Sequence, residues 1–300
     1  MTTTQILSQS APFTDYGAAL ARIEAMRSTE KGAPGFNPEM QSILLSHGQK
    51  TARAVLWFHG YTSAPPQFRP LAELCFDRGY NAFIPCVPHH GFRDRFSPEM
   101  SRVRTAELVQ FAEDTVDLMH GLGNEIIVGG LSMGGAMASW VAQQRADVST
   151  VLIIAAFLGA RIVPARLTRL VSTTLGFLPD QRQWWDEQKK EASPGPDFEY
   201  LKRSTHSLSQ IIALGFRTFD LARHRPPAAG KIWMVINDHD DSVNNEINQQ
   251  LVDTWRRSAA RNVETFHFPD ALGLPHNCIG VGIPGGNTPL VYPELMRMIG

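Results

Sequence analysis

The sequence predicts an α/β fold: a mostly parallel central sheet flanked by helices, with a helical segment inserted late in the chain. Three observations predict it. From Gln41 onward, short apolar runs alternate with stretches of helical spacing. Several of those runs are apolar on both faces, which a strand tolerates only where helices cover both sides of the sheet. Between Ala160 and Ala229 the alternation stops and helical pieces follow one another.

Tyr16–Met26 reads as an amphipathic helix that packs outside the core. Ser42–Ser46 and Ala52–His59 read as strands, the second rich in branched and aromatic residues. Across Gln67–Arg78, Phe68, Leu71, Leu74 and Cys75 share one helical face. Asn81–Cys86 is a short strand, and Thr105–Leu122 a long helix with Leu108, Phe111, Ala112, Thr115, Leu118 and Met119 in one stripe. Glu125–Gly129 is a strand ending in glycines, Met133–Gln144 a helix, and Val148–Ala156 a nearly all-apolar strand. Residues 160–229 hold the breakers Ser193-Pro194-Gly195-Pro196 and Pro226-Pro227. A structureless loop of that length is improbable in a compact domain, so the segment reads as a helical cap set into a core of residues 1–159 and 230–300. Lys231–Asn237 (strand), Asn245–Arg257 (helix) and Val263–Phe268 (strand) resume the rhythm.

Composition excludes several classes. An apolar fraction of 43% allows a large core. With 28 Lys and Arg against 29 Asp and Glu, no electrostatic case exists for nucleic acid or an anionic membrane as main partner. The longest apolar runs, such as Val151–Ala160, reach about half of the ~20 residues a membrane-spanning helix needs. The start lacks a basic stretch followed by an apolar one, so no secretory signal is read. Cys75, Cys86 and Cys278 form no metal spacing and no even framework. They read as free thiols in a reducing compartment, and the expected location is cytoplasmic.

The strongest chemical signal is Gly130-Leu131-Ser132-Met133-Gly134, a G-x-S-x-G pattern between a strand and a helix. A turn that tight lifts the serine oxygen above the sheet edge. It stands at a helix amino end, where free N–H groups favour developing negative charge. The Met133 N–H is then one donor to an oxyanion. The second signal is Trp57-Phe58-His59-Gly60-Tyr61-Thr62-Ser63, directly after an apolar strand, where a second donor is expected. Further on, Asp238-His239-Asp240-Asp241 follows the strand ending at Asn237, and His276 lies in a loop after Val263–Phe268.

These motifs, in this order, resemble the α/β-hydrolase superfamily of the serine carboxylesterase and lipase type, from about Ser42 to the end of the chain. The resemblance implies Ser132 as nucleophile, His276 as base and a carboxylate between them in the chain. It gives the second oxyanion donor to the backbone N–H of Tyr61 and a structural part to His59. Among Asp238, Asp240 and Asp241, Asp240 suits the acid best. Asp238 is still held by the sheet edge, and Asp240 with Val243 resembles the family's D-x-x-V acid loop. Pro88-His89-His90-Gly91 resembles the P-G-H-G turn of related lipases, with His89 where glycine is common. The expected function is hydrolysis of carboxylic esters of small to medium hydrophobic substrates through an acyl-enzyme. A thioesterase or amidase with the same triad, or a catalytically silent ligand-binding relative, are the alternatives. No metal or organic cofactor is implied. Trp184 and Trp185, with Leu175, Phe177 and Leu178, suggest a hydrophobic pocket in the cap.

Overall fold

The computed structural model describes residues 11–184, 198–258 and 260–300. The strands are β1 (Ile43–Leu45), β2 (Thr51–Phe58), β3 (Asn81–Ile84), β4 (Gly123–Leu131), β5 (Thr150–Ile154), β6 (Arg182–Trp184), β7 (Lys202–Ser204), β8 (Lys231–Asn237) and β9 (Val263–Phe268). The helices are α1 (Tyr16–Gly32), α2 (Arg69–Asp77), α3 (Thr105–Met119), α4 (Met133–Gln144), α5 (Ala165–Phe177), α6 (Thr205–Ala222), α7 (Asn245–Arg257) and α8 (Thr288–Ile299).

Seven strands form one sheet in the order β1-β3-β2-β4-β5-β8-β9, and only β1 runs antiparallel to its neighbour. Parallel neighbours need long crossovers, which is why at least one helix separates each parallel pair in the chain, with α5 and α6 between β5 and β8. The alternation within β2 builds a core on each face. Leu56 and Phe58 join Val128, Ile153 and Met234 with α3, α4, α6 and α7, while Val55 and Trp57 join Ile127, Leu152 and Val235 with α2 and α8. β2 is followed by β3 on one side and β4 lies on its other side, so the connections reverse direction there. Sheets of this kind gather ligands outside the carboxyl ends of the strands at such a reversal.

Two elements differ from the sequence reading, and the first has a clear physical cause. Helix α8 has no counterpart in that reading: Pro289 and Pro293 punctuate it, yet Pro289 sits in the first turn, where no N–H is needed. Its Val291, Leu295 and Ile299 are buried against the second core face. Within residues 160–229, where helical pieces were expected, β6 and β7 pair as a two-stranded antiparallel sheet. Helix α6 buries Ile211 and Leu214 in the first core, while Phe177, at the end of α5, is 87% exposed and Leu178 is 51% exposed. Those two side chains therefore do not line an enclosed apolar pocket. Trp185 and Ser193–Pro196 lie outside the described residues.

The glycines of the strand–Ser132–helix turn are required by contact. A Cβ on Gly130 would stand 2.2 Å from Gly134 O, and one on Gly134 would stand 1.9 Å from Phe58 O. Both obstacles are backbone, so neither can be moved by a rotamer change. We expect Gly134→Ala to cost at least about 1–3 kcal/mol by overpacking. Thermal unfolding of the variant is the check, and a midpoint equal to wild type would contradict the packing described.

Candidate active site

Ser132 caps the amino end of α4 with φ 60° and ψ −113°, a region L-residues seldom occupy. Such a conformation costs about 1–3 kcal/mol and persists only where the surroundings impose it. Here they do: Ser132 N–H donates to Ile154 O at 3.0 Å, and Ser132 O accepts from Ala136 N–H at 2.9 Å and Phe157 N–H at 3.0 Å. Met133 is the first residue of α4, so its N–H has no acceptor within the helix.

The loop after β2 is pinned residue by residue. Gly60 O accepts from Ser63 N–H at 3.1 Å and faces His59 Nδ1 at 2.9 Å. A trans peptide points its N–H opposite to its carbonyl, so these contacts turn the Tyr61 N–H the other way. Tyr61 O faces His90 Nε2 at 2.6 Å, Thr62 O accepts from Tyr200 N–H at 2.8 Å, and the buried Tyr61 hydroxyl donates to Met100 O at 3.2 Å. Burial first of all pushes the Tyr61 phenol up to about 12, so it stays neutral. His59 is enclosed, and its Nε2 accepts from Val87 N–H at 3.0 Å. Burial, aided by nearby His90, pulls its pKa down to about 3. Both its nitrogens are committed to the scaffold, in line with the structural part expected of it. His89 takes φ 68°, the conformation a glycine there would supply, and its Nε2 meets Glu107 Oε2 at 2.8 Å.

At the far side of the site, the three aspartates that follow β8 take different partners, as do three histidines. Asp238 N–H donates to Phe268 O at 3.0 Å, which keeps it on the sheet edge, and its carboxylate meets His267 Nδ1 at 2.8 Å. His239 Nδ1 meets Asp270 at 3.0 Å, and Asp241 accepts from Ser242 Oγ at 2.9 Å. Asp240 alone of the three aspartates turns inward and is fully buried. Its Oδ2 lies 2.6 Å from His276 Nδ1, and its Oδ1 accepts from Ser242 N–H at 2.8 Å and Val243 N–H at 3.1 Å. Burial raises the Asp240 pKa, but the charge and hydrogen bond of His276 and the two N–H donors outweigh it, leaving a net lowering. Burial lowers the His276 pKa, and the Asp240 charge and hydrogen bond more than reverse that. Asn237, at the end of β8, fixes the histidine loop by donating to Leu274 O at 2.8 Å and Pro275 O at 3.1 Å.

Ser132, the Tyr61 loop, Asp240 and His276 thus follow the carboxyl ends of β4, β2, β8 and β9. Trp184 is half-buried in β6, edge-on to Phe96 with ring centres 5.4 Å apart, and Lys202 Nζ lies 5.2 Å from its ring centre. Trp185 is outside the described residues. Sequence reasoning missed Asn237, Gln67 and Asn277, amides that fit no motif; only Asn277, next to His276, carried any hint.

A strained serine at a strand–helix turn and the 2.6 Å His276–Asp240 pair thus share one sheet edge. The model of the alpha/beta hydrolase family matches residues 43–293, and the chain belongs to that family. A thermostable monoacylglycerol lipase from Bacillus sp. (strain H-257) is 30% identical over 114 residues, which are 38% of this chain and 44% of that protein. The chain therefore aligns with less than half the length of that relative. One of two metagenome-derived lipolytic enzymes matches in structure with a TM-score of 0.63 at 18% identity, over 89% of this chain and 98% of the other. The monoacylglycerol lipase of Paleococcus ferrophilus matches with 0.64 at 14% identity, over 85% and 96%. The protein is an alpha/beta hydrolase with lipase and esterase relatives. Among the described residues, no helix is long and apolar enough to cross a membrane.

The electrostatics give a direct test. The His276 ring should titrate above the ordinary ~6.5 in an NMR titration. In Asp240→Asn, the smaller contribution of the Asp241 charge is all that still opposes burial among the causes of the shift, so the midpoint should drop. An unchanged midpoint would show that Asp240 does not set the charge state of His276.

Proposed function

We propose that this chain is a serine hydrolase of carboxylic esters, working through an acyl-enzyme. What supports the reading is the 2.6 Å contact of His276 with fully buried Asp240 on the same sheet edge as Ser132. In this scheme Ser132 Oγ attacks the ester carbonyl carbon while His276 Nε2 takes its proton. The carbonyl oxygen becomes an oxyanion held by the N–H groups of Tyr61 and Met133. Asp240 keeps the Nδ1 proton on His276 and stabilises the imidazolium. The imidazolium protonates the departing alkoxide as the C–O bond breaks. Water then attacks the acyl-Ser132 ester, His276 accepts its proton, and the acid leaves as Ser132 regains a hydrogen.

Residues 160–229 serve in this reading as a cap whose apolar side chains, Trp184 and Trp185 among them, set acyl-chain preference. Similarity to a monoacylglycerol lipase supports the ester reading over the thioester and amide ones, and the buried free thiols suit the cytoplasm.

Ser132→Ala should abolish fluorophosphonate labelling and reduce hydrolysis of p-nitrophenyl esters by about 10⁴-fold or more without unfolding the protein. Near-normal turnover in the folded variant would end the serine-hydrolase reading. Across a panel from acetate to palmitate, Trp184→Ala should alter the ratio of kcat/KM between short and long chains, since each buried methylene is worth up to ~0.8 kcal/mol. The wild-type profile should fall on the acid side with a midpoint above ~6.5, because protonated His276 accepts no proton. Asp240→Asn should lower kcat by about 10⁴-fold and Asp238→Asn far less. The reverse order would move the acid by two residues.

A further inference from the structure

Four residues far apart in the chain form one chain of hydrogen bonds beneath the site. Gly60 N–H donates to Gln67 Oε1 at 2.8 Å, Gln67 Nε2 donates to Asn277 Oδ1 at 3.1 Å, and Asn277 Nδ2 donates to Glu199 Oε1 at 3.2 Å. The first residue precedes Tyr61, the third follows His276, and the fourth belongs to the inserted segment. That segment is tied to the same loop by Tyr200 N–H on Thr62 O at 2.8 Å, and to the loop after β3 by Arg95 Nε on Glu199 O at 2.6 Å. Gln67 sits in the short 3-10 turn Pro65–Phe68 and is 5% exposed. A buried amide is costly unless its groups are bonded, and this one spends its carbonyl on one loop and its N–H on the other.

We propose that Gln67 is a positioning residue that sets the oxyanion loop against the histidine loop. The inference rests on the serine-hydrolase reading. The Gly60–Tyr61 peptide is already oriented from its carbonyl side by Ser63 and His59. Gln67 fixes the peptide on the other side of the Gly60 Cα. A glycine without that second restraint is free to rotate, and the Tyr61 N–H would rotate with it. Through Asn277 the same amide holds the backbone next to His276, so the donor and the base share one reference point. The relay also has a direction. Asn277 donates to a carboxylate on one side and accepts from Gln67 on the other, so it cannot turn its amide round without facing its own oxygen toward Glu199.

That direction supplies the test. Gln67→Glu keeps the shape and the acceptor for Gly60 N–H but sets a carboxylate against Asn277 Oδ1. On the full chain we expect kcat for p-nitrophenyl butyrate, per site titrated with a fluorophosphonate, to fall about tenfold or more, a fraction of the loss of an oxyanion donor. KM should stay within about twofold, because the substrate itself is not touched. Adding Glu199→Gln reverses the relay: Asn277 Nδ2 then donates to the carboxylate introduced at position 67, and Asn277 Oδ1 accepts from the amide introduced at position 199. The double variant should regain kcat to within about threefold of Glu199→Gln alone, a non-additivity that a merely structural role does not produce. Gln67→Leu, which breaks both links, should show the same kcat loss. Wild-type kcat per titrated site in Gln67→Glu or Gln67→Leu, or no recovery in the double variant, would overturn the proposal. Ser132→Ala, run in parallel, separates the two levels: if it stays active the hydrolase reading itself fails, and if it is dead the Gln67 result stands or falls alone.

Discussion

A serine held at φ 60° needs its neighbours to close in from every side, and most of the molecule's order around the site follows from that demand. The turn exists because β4 delivers Gly130 against the carbonyl of Gly134, and because Gly134 lies against the end of β2 without a side chain between them. That proximity brings the loop carrying His59, Gly60 and Tyr61 beside the amino end of α4. The strain at Ser132 is offset by hydrogen bonds at its N–H and carbonyl, including those to Ile154 and Phe157, so β5 and the loop after it also support the turn. A sheet without β5 as direct neighbour to β4 would have no acceptor for that N–H.

The second half of the site depends on different physics. Asp240 is fully buried and His276 mostly so, and the charge of each is stabilised by the other. Asp240 gains two backbone donors from its own turn, so its negative charge is solvated by protein rather than water. His276 gains orientation, since the loop that carries it is held by Asn237 from the adjacent strand end. The neighbouring pairs His267–Asp238 and His239–Asp270 use the same residue types at the surface, with half of each histidine in solvent. Burial, not residue identity, separates the inward pair from the two outward ones.

Much of this was legible in the chain itself. The apolar runs of β2, β4, β5 and β8 announce a parallel sheet because their side chains must be covered on both faces. Gly130-x-Ser132-x-Gly134 was legible because a sharp turn between a strand and a helix admits few sequences. The choice of Asp240 followed from reach: Asp238 still bonds to Phe268 across the sheet, and two more residues are needed to turn inward. Helix α8 was obscured by its prolines, which local rules read as breaks, whereas its buried face decides in its favour. The Gln67–Asn277 contact was out of reach for another reason. Its partners are 210 residues apart, and a glutamine in a turn has no periodicity to mark it. Only the folded backbone brings the two amides together.

The order of strands leaves β9 at one border of the sheet, with a row of backbone groups that no neighbouring strand among the described residues occupies. Such a border is a template for a strand from another molecule. In β9, exposed Glu264 and His267 project from a strand of six residues, and Glu264 is paired with Lys231 at 3.2 Å. A second strand docking here would have to strip water from these polar groups on a short stretch of backbone. The paired side chains of Glu264 and His267 therefore oppose the use of this border, on which the carboxyl-terminal half of the site is built, as a seed for intermolecular sheet growth.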